Sequence, residues 1–203
     1  IGVGSTVVAG CAFRGNRASN GGALGSLHTA VTIANATFES NEATGRGANS
    51  VSGGQQVGHG GNGGALSMDG VGRTLSLCGA TFRGNAAGAI GGAVFRTSSQ
   101  GEPTIVARRA FDRNAVADAD PSLAGGAYLQ GTRVTVTAST ASRNTASGAS
   151  GLWFGDMSPG TSRADLENVT IAGNFVRERA DFTQMGLAGG LWTADVPGTV
   201  RSS

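Results

Sequence analysis

The sequence has little of several residue types that would point to common functions. It has two cysteines, four prolines and no lysine, so all 15 of its basic residues are arginines. Its formal net charge is only +2 and the arginines are scattered, which leaves no basic surface for nucleic acid. No apolar run approaches the roughly 18 residues that a membrane-spanning helix needs. We therefore expect neither a nucleic-acid partner nor a membrane span in these 203 residues.

Glycine, by contrast, is abundant, with 36 residues. An internal glycine costs an α-helix roughly 1 kcal/mol relative to alanine, so the composition excludes a mostly helical protein. Disorder is also disfavoured, because Val, Ile, Leu and Phe recur in an ordered pattern.

Two short phrases alternate along the chain. The first is an aromatic or apolar residue, two variable positions and Asn, and it covers Phe13 to Asn16, Phe38 to Asn41, Phe82 to Asn85, Phe111 to Asn114 and, without Phe, Ala141 to Asn144 and Ile171 to Asn174. The second is Gly-Gly, a small residue and an apolar one, and it covers Gly21 to Leu24, Gly63 to Leu66, Gly91 to Val94, Gly125 to Tyr128, weakly Ser150 to Trp153, and Gly189 to Trp192. A repeat near 30 residues predicts a solenoid, whose units bury apolar surface by stacking on each other.

Within each unit, apolar residues alternate with a period of two before the Phe position, as in Val31 and Ile33 or Val134 and Val136. This period predicts strands with one inward face. Strands at the same point of successive units run parallel, and parallel crossovers are right-handed by default. The sequence therefore predicts one all-β domain over residues 1–203, a right-handed parallel β-helix of about six rungs, where a rung is one turn of the coil.

The first phrase brings a Phe ring and an Asn amide to the same place on every rung. We expect the rings to stack and the amides, which offer both donor and acceptor, to bond from rung to rung. This structural ladder comprises Phe13, Phe38, Phe82, Phe111, Asn16, Asn41, Asn85, Asn114, Asn144 and Asn174.

The stretches "GGAL … VTIANATFESN" and "GGAL … LSLCGATFRGN" resemble the GGAI and FxxN repeats of polymorphic outer membrane proteins, and related β-helical repeats of large bacterial surface and secreted proteins. The resemblance spans nearly the whole chain. It implies an exported segment of a longer, autotransporter-like or otherwise anchored protein that is displayed on the cell surface or secreted and serves adhesion. The signal and anchor would then lie outside this segment.

The last position of the second phrase changes along the chain, from Leu24, Leu66 and Val94 to Tyr128, Trp153 and Trp192. If this column points inward, the core has larger residues towards the C-terminal end. If it points outward, the three aromatic residues form a strip suited to stacking sugars or binding a surface protein. The sequence leaves both facings open.

Long insertions between the two phrases, at 42–62, 115–124 and 175–188, are expected at one corner of the coil and are either ligand-binding loops or tolerated insertions. His59, Asp118 and Asp120 lie in them but are too few and too scattered for a metal site. We therefore predict no metal and no cofactor.

A polysaccharide lyase or hydrolase would need several carboxylates clustered on adjacent rungs. The outward position after the Phe column instead mixes charges, and Asp165, Asp181 and Asp195 are isolated in the sequence. Cys11 and Cys78 lie about two rungs apart, roughly 10 Å, which is too far for a disulfide, so we expect buried free thiols.

These observations predict a structural and adhesive surface scaffold without catalytic residues. Two alternatives remain: a carbohydrate-active β-helix, and a component of an extracellular filament that stacks end to end. Because a β-solenoid has unpaired strand edges at its ends, we expect further rungs, a cap or a partner chain to cover both ends.

Overall fold

The computed structural model describes residues 4–45, 61–117, 122–156, 158–177 and 188–202. Every regular element in these ranges is a β-strand, and no helix there is long and apolar enough to cross a membrane. In chain order the strands are β1 (Ser5–Ala9), β2 (Ala12–Arg14), β3 (Arg17–Ala18), β4 (Leu24–Leu27), β5 (Ala30–Ala34), β6 (Thr37–Glu39), β7 (Glu42–Ala43), β8 (Leu66–Asp69), β9 (Leu75–Cys78), β10 (Thr81–Arg83), β11 (Ala86–Ala87), β12 (Val94–Ala107), β13 (Ala110–Asp112), β14 (Ala115–Val116), β15 (Ala127–Ser142), β16 (Thr145–Ala146), β17 (Leu152–Gly155), β18 (Arg163–Ala172), β19 (Phe175–Val176), β20 (Leu191–Ala194) and β21 (Gly198–Arg201).

Each strand pairs in parallel with the equivalent strands of the neighbouring repeats, which arranges the described strands in four faces. Face A stacks β1, β5, β9, β12, β15, β18 and β21, and face B stacks β2, β6, β10, β13, β15 and β18. Face C stacks β3, β7, β11, β14, β16 and β19, and face D stacks β4, β8, β12, β15, β17 and β20.

Three strands, β12, β15 and β18, pass from one face into the next, so faces A, B and D form one curled sheet of 15 strands. Face C is a separate sheet of six strands. The all-β, parallel prediction is confirmed, and three of the strands continue through the turns between faces instead of ending there. The reason is local: β15 turns two corners without a loop, at Gly131 (φ 68°) and Ala138 (φ 45°).

The main apolar core lies between faces A, B and D, and it follows from the alternation of the strands. Ile33, Leu77 and Val136 point into it from face A, Phe82 points in from face B and Phe154 points in from face D. Face C contributes only a small cluster of Ala87, Val116 and Ala146. Small side chains suit this face because its strands lie close to the Gly-Gly segments that lead into face D.

The second glycine of the Gly-Gly phrase lies directly against a strand of face C. A Cβ atom added at Gly64 would lie 2.6 Å from the Ala86 carbonyl oxygen, and one added at Gly92 would lie 2.8 Å from the Ala115 nitrogen. This close approach explains why the phrase keeps glycine. Ser150 stacks at the equivalent position, although it is the first residue of its phrase, and its hydroxyl donates to the Phe175 carbonyl of face C at 2.6 Å.

The side chains of the predicted ladder lie in continuous columns at faces B and C. The Phe13, Phe38 and Phe82 rings stack with centroids 4.8 Å apart, and Phe82 stacks on Phe111 at 5.3 Å. Each Asn Nδ2 donates to the Oδ1 of the next Asn along the stack at 2.8 to 3.0 Å, through Asn16, Asn41, Asn85, Asn114, Asn144 and Asn174. Side-chain stacking therefore runs from the first described repeat to the last.

Candidate ligand-binding surfaces

The predicted aromatic column does not lie in register with the apolar residues of the earlier repeats. Val94 pairs with Ala127, and Phe95 pairs with Tyr128. One face D column comprises Leu24, Leu66, Val94, Ala127, Leu152 and Leu191, and the next comprises Gly25, Ser67, Phe95, Tyr128, Trp153 and Trp192. The single column drawn from the sequence was therefore wrong.

The error has a local cause. The positive-φ corner residue is glycine in the earlier repeats, at Gly63 and Gly91, but it is Ala124 in the fourth. The Gly-Gly pair of that repeat consequently falls one position later in the register. Since side chains alternate between faces, a shift of one residue moves the aromatic ring to the opposite side of the strand.

The aromatic side chains point away from the main core and form a second apolar cluster. Phe95 stacks on Tyr128 with centroids 5.4 Å apart, and Tyr128 stacks on Trp153 at 4.1 Å. Tyr128 and Trp153 are only 3% and 8% exposed, and burial raises the pKa of the Tyr128 hydroxyl above its ordinary value. Trp192, which is half-buried, is the one residue of the predicted aromatic strip that is not buried.

The charges next to the Phe column pair across repeats. Arg14 contacts Glu39 at 3.2 Å, and the Asp112 carboxylate accepts from Arg143 at 2.6 Å, with Arg83 at 3.7 Å. Burial by itself raises the pKa of Asp112, but the hydrogen bonds from Arg143 and Ser142 outweigh it and hold the pKa below its ordinary value. These charges connect neighbouring repeats, and they leave no free acid and base pair at this column.

The low pKa of Asp112 predicts a specific loss of stability in acid. The folded state binds a proton less readily than the unfolded chain, whose Asp has a pKa of about 3.9. The stabilisation is therefore present above that value and is lost as the pH falls through the lower, folded pKa. We expect urea midpoints measured from pH 5 to pH 2.5 to fall less steeply for Asp112→Asn than for the parent. Asp195→Asn, at an exposed turn, is the control, and an equal slope for parent and Asp112→Asn would contradict the prediction.

A polar groove of about 230 Å³ lies on the outer side of face A, where β15, β18 and β21 pair. Strand alternation places every second residue of these strands outward. The polar residues lining the groove are Thr135, Thr137, Arg163, Asp165, Glu167, Thr199 and Arg201. This surface was not predicted from the sequence, in which Asp165 is isolated and no repeat phrase marks the strand at Gly198–Arg201.

The groove has a fixed part and an exposed part. Arg163 donates from Nε and Nη2 to the two carboxylate oxygens of Asp165 at 2.6 and 2.8 Å, and Thr199 donates to Asp165 at 2.6 Å. The hydrogen bonds from Arg163 and Thr199 lower the pKa of Asp165, so this carboxylate stays ionised near neutral pH. Glu167 and Arg201 occupy paired register positions beside it, and both are exposed. Asp165 is thus a positioned acceptor and a poor general acid.

Metal ligands do not converge in the described part of the chain, where no group of three or more His, Cys, Asp or Glu side chains could hold an ion. Four residues that were considered from the sequence and set aside as site residues, His59, Asp118, Asp120 and Asp181, lie outside the described residues. Most of the residues of the three insertions lie outside them as well. The described ends of the insertions do meet at one corner, through bridges of Asn62 with Ile90 and Ile90 with Leu123.

Both cysteines are free thiols, but the expectation that they are buried was wrong. Cys11 is exposed because it lies in the first repeat, where no described strand packs on its N-terminal side. Cys78 is half-buried at the outer side of face A, where Arg108 Nη2 lies 3.3 Å from its sulfur and lowers the pKa of the thiol.

Comparison with known proteins identified no relative of this chain. No protein-family model, no curated protein and no solved structure matches the chain. Evidence for its function therefore comes from its faces, its side-chain columns and its groove.

Proposed function

We propose that the chain is a right-handed parallel β-helix that serves as a structural and adhesive scaffold at a cell surface or in the extracellular space. Parallel pairing between repeats on four faces supports the coil, and the strong preference of parallel crossovers supports its hand. The repeated phrases support the surface location through their resemblance to surface-protein repeats.

One observation carries the scaffold role: the polar side chains of the repeats are used to hold repeats together. The buried amides of Asn85, Asn114 and Asn144 bond along the stack. The charges beside them, such as those of Arg14 and Glu39, pair across repeats. A chain built this way maintains a rigid rod of fixed width, and adhesion then depends on its outer surfaces.

The groove on face A is the surface that best fits a carbohydrate ligand. It is open, elongated across three strands and lined by hydroxyls together with carboxylate and guanidinium groups, which match sugar hydroxyls as donors and acceptors. The same groove supports the second candidate, a carbohydrate-active β-helix, because Asp165 and Glu167 lie side by side on β18. Binding without turnover separates the scaffold from the enzyme.

The test is a binding screen of the protein against a glycan array and polyuronates, with calcium and with chelator, measuring both retention and product release. We expect retention without product, and a loss of about tenfold in affinity for Glu167→Gln or Arg201→Gln, about 1.4 kcal/mol. Glu39→Gln is the control, because Glu39 is a half-buried carboxylate on face B that lies outside the groove. Product release would overturn the scaffold role, and retention unchanged by both groove variants would exclude the groove as the site.

A further inference from the structure

We propose that a group of arginines on the outer side of face B binds an acidic polysaccharide through its sulfate or carboxylate groups. The group comprises Arg83, Arg113 and Arg143, which surround the carboxylate of Asp112. These residues belong to the third, fourth and fifth repeats, so the inference is independent of what lies beyond either end of the chain. They also lie outside the groove of face A, so the inference does not rest on a glycan binding there.

Strand pairing brings the charged side chains of this group together. Arg83 of β10 and Asp112 of β13 occupy paired register positions, and Asp112 pairs in turn with Ser142 of β15. Arg113 and Arg143 each come one residue later, at corner positions with positive φ. The two corner arginines therefore occupy equivalent positions of neighbouring repeats, which are about 4.8 Å apart.

One carboxylate does not satisfy three guanidinium groups. Asp112 Oδ1 lies 2.8 Å from Nε and 2.6 Å from Nη2 of Arg143, and it accepts from the Ser142 hydroxyl at 3.1 Å. Arg83 Nε and Arg113 Nη1 lie 3.7 and 3.5 Å from Oδ2, which is too long for a good hydrogen bond. Neither of these two arginines makes another ion pair with a described residue. The group therefore carries a net charge of +2.

The two arginines without a close acceptor can be reached by a ligand. The side chains of Arg83 and Arg113 are 52% and 48% exposed. A guanidinium presents its N–H donors in a planar fork that matches two oxygens of a sulfate or a carboxylate. Like charges on neighbouring strands also repel each other, so a bound anion would use these donors and relieve the repulsion.

The side chains beside the arginines fit a sugar better than a nucleic acid. Thr81, Ala110 and Thr140 pair in register two residues before the charged column, so they point to the same outer side. The threonine hydroxyls can donate to and accept from sugar hydroxyls. None of the three is aromatic, whereas sequence-tolerant binding of single-stranded nucleic acid uses aromatic rings for base stacking.

The test measures binding of the protein to dextran sulfate and to polygalacturonate at low salt, with neutral dextran as the reference. We expect the parent to bind at least one acidic probe and not dextran, and the probe that binds identifies sulfate or carboxylate as the anion. The double variant Arg83→Gln/Arg113→Gln should bind about tenfold more weakly. The groove variant Arg201→Gln should bind as the parent does. Circular dichroism checks that each variant keeps its fold.

Two further variants separate a local site from general charge attraction. Arg14→Gln/Arg17→Gln removes the same amount of charge from two exposed arginines that are already paired with Glu39 and Glu42, so it should change affinity little. Asp112→Asn removes the carboxylate that competes with the ligand for Arg143, so at neutral pH it should tighten binding about threefold. Loss of fold cannot produce such a gain.

Four results would overturn the proposal. The first is that the parent binds neither acidic probe. The second is an equal loss in the two double variants, which would show attraction to overall charge only. The third is tighter binding of single-stranded DNA than of either polysaccharide. The fourth is a loss confined to Arg201→Gln, which would place the ligand in the groove of face A and leave the proposed function standing.

Discussion

Replacing Asn114 by alanine is expected to lower the free energy of unfolding by about 3–5 kcal/mol. The Asn114 side chain is fully buried and makes four hydrogen bonds. Its Nδ2 donates to the Phe82 carbonyl at 3.1 Å and to Asn144 Oδ1 at 3.0 Å, and its Oδ1 accepts from Asn85 N and Nδ2. Alanine leaves the partners of all four bonds without an acceptor or donor in a place that water does not reach.

The measurement is urea unfolding followed by circular dichroism, and the design has two controls. Asn16→Ala, at the exposed end of the same ladder, loses one side-chain donor that water replaces, so its cost is about 1 kcal/mol or less. Asn114→Asp keeps the size and the acceptor but cannot donate, and it should resemble alanine rather than the parent. Equal small effects at both ends of the ladder would show that the amide column contributes little.

Replacing Phe82 by alanine is expected to cost a similar amount, about 3–5 kcal/mol, through packing rather than hydrogen bonding. The Phe82 ring is fully buried between Phe38 at 4.8 Å and Phe111 at 5.3 Å. Its removal leaves a cavity inside a column whose neighbours are fixed by the strand spacing, so collapse of the site is limited.

The matched variants for this column are Phe82→Leu and Phe13→Ala. Leucine keeps most of the volume and should cost about 1.5 kcal/mol or less, whereas Phe13 is half-buried at the end of the stack and should cost less than Phe82. Unfolding midpoints from the same urea titration rank the three. A Phe82→Ala midpoint equal to that of the parent would show that the ring stack does not hold the repeats together.

Two repeat features could be read from the sequence because each rests on a single residue type. The Phe ring and the Asn amide recur at fixed spacing, and both need the same residue at the same place on each repeat to stack or to bond. The residue before each Asn has no such signature. It holds a positive φ in every repeat, yet it is Gly15 or Gly84 in some and Ser40, Arg113 or Arg143 in others.

Two arginines are buried in the structure, which the sequence pattern did not predict. Arg96 and Arg109 occupy positions whose equivalents in other repeats are small or apolar, and both are almost fully buried. Arg96 Nη1 donates to the Gly70 carbonyl at 3.0 Å and Nη2 to the Arg73 carbonyl at 2.7 Å. Burial lowers the pKa of Arg109 to about 9. Arg109 Nη2 likewise donates to the Ile33 carbonyl at 3.1 Å, and Arg96 Nη2 also lies 4.0 Å from the Glu102 carboxylate. Backbone carbonyl acceptors leave no trace in a pattern of side chains.

The sequence by itself determined the repeat, the strand class and the columns of Phe and Asn, because these depend on residue type and spacing alone. The tertiary structure decided the register of the aromatic column, since one alanine at a corner shifted Tyr128 to the far side of its strand. It also decided the groove, because Asp165, Glu167 and Arg201 meet only when β21 pairs with β18. Contacts between strands distant in sequence depend on which edges pair, and edge pairing is a property of the folded chain.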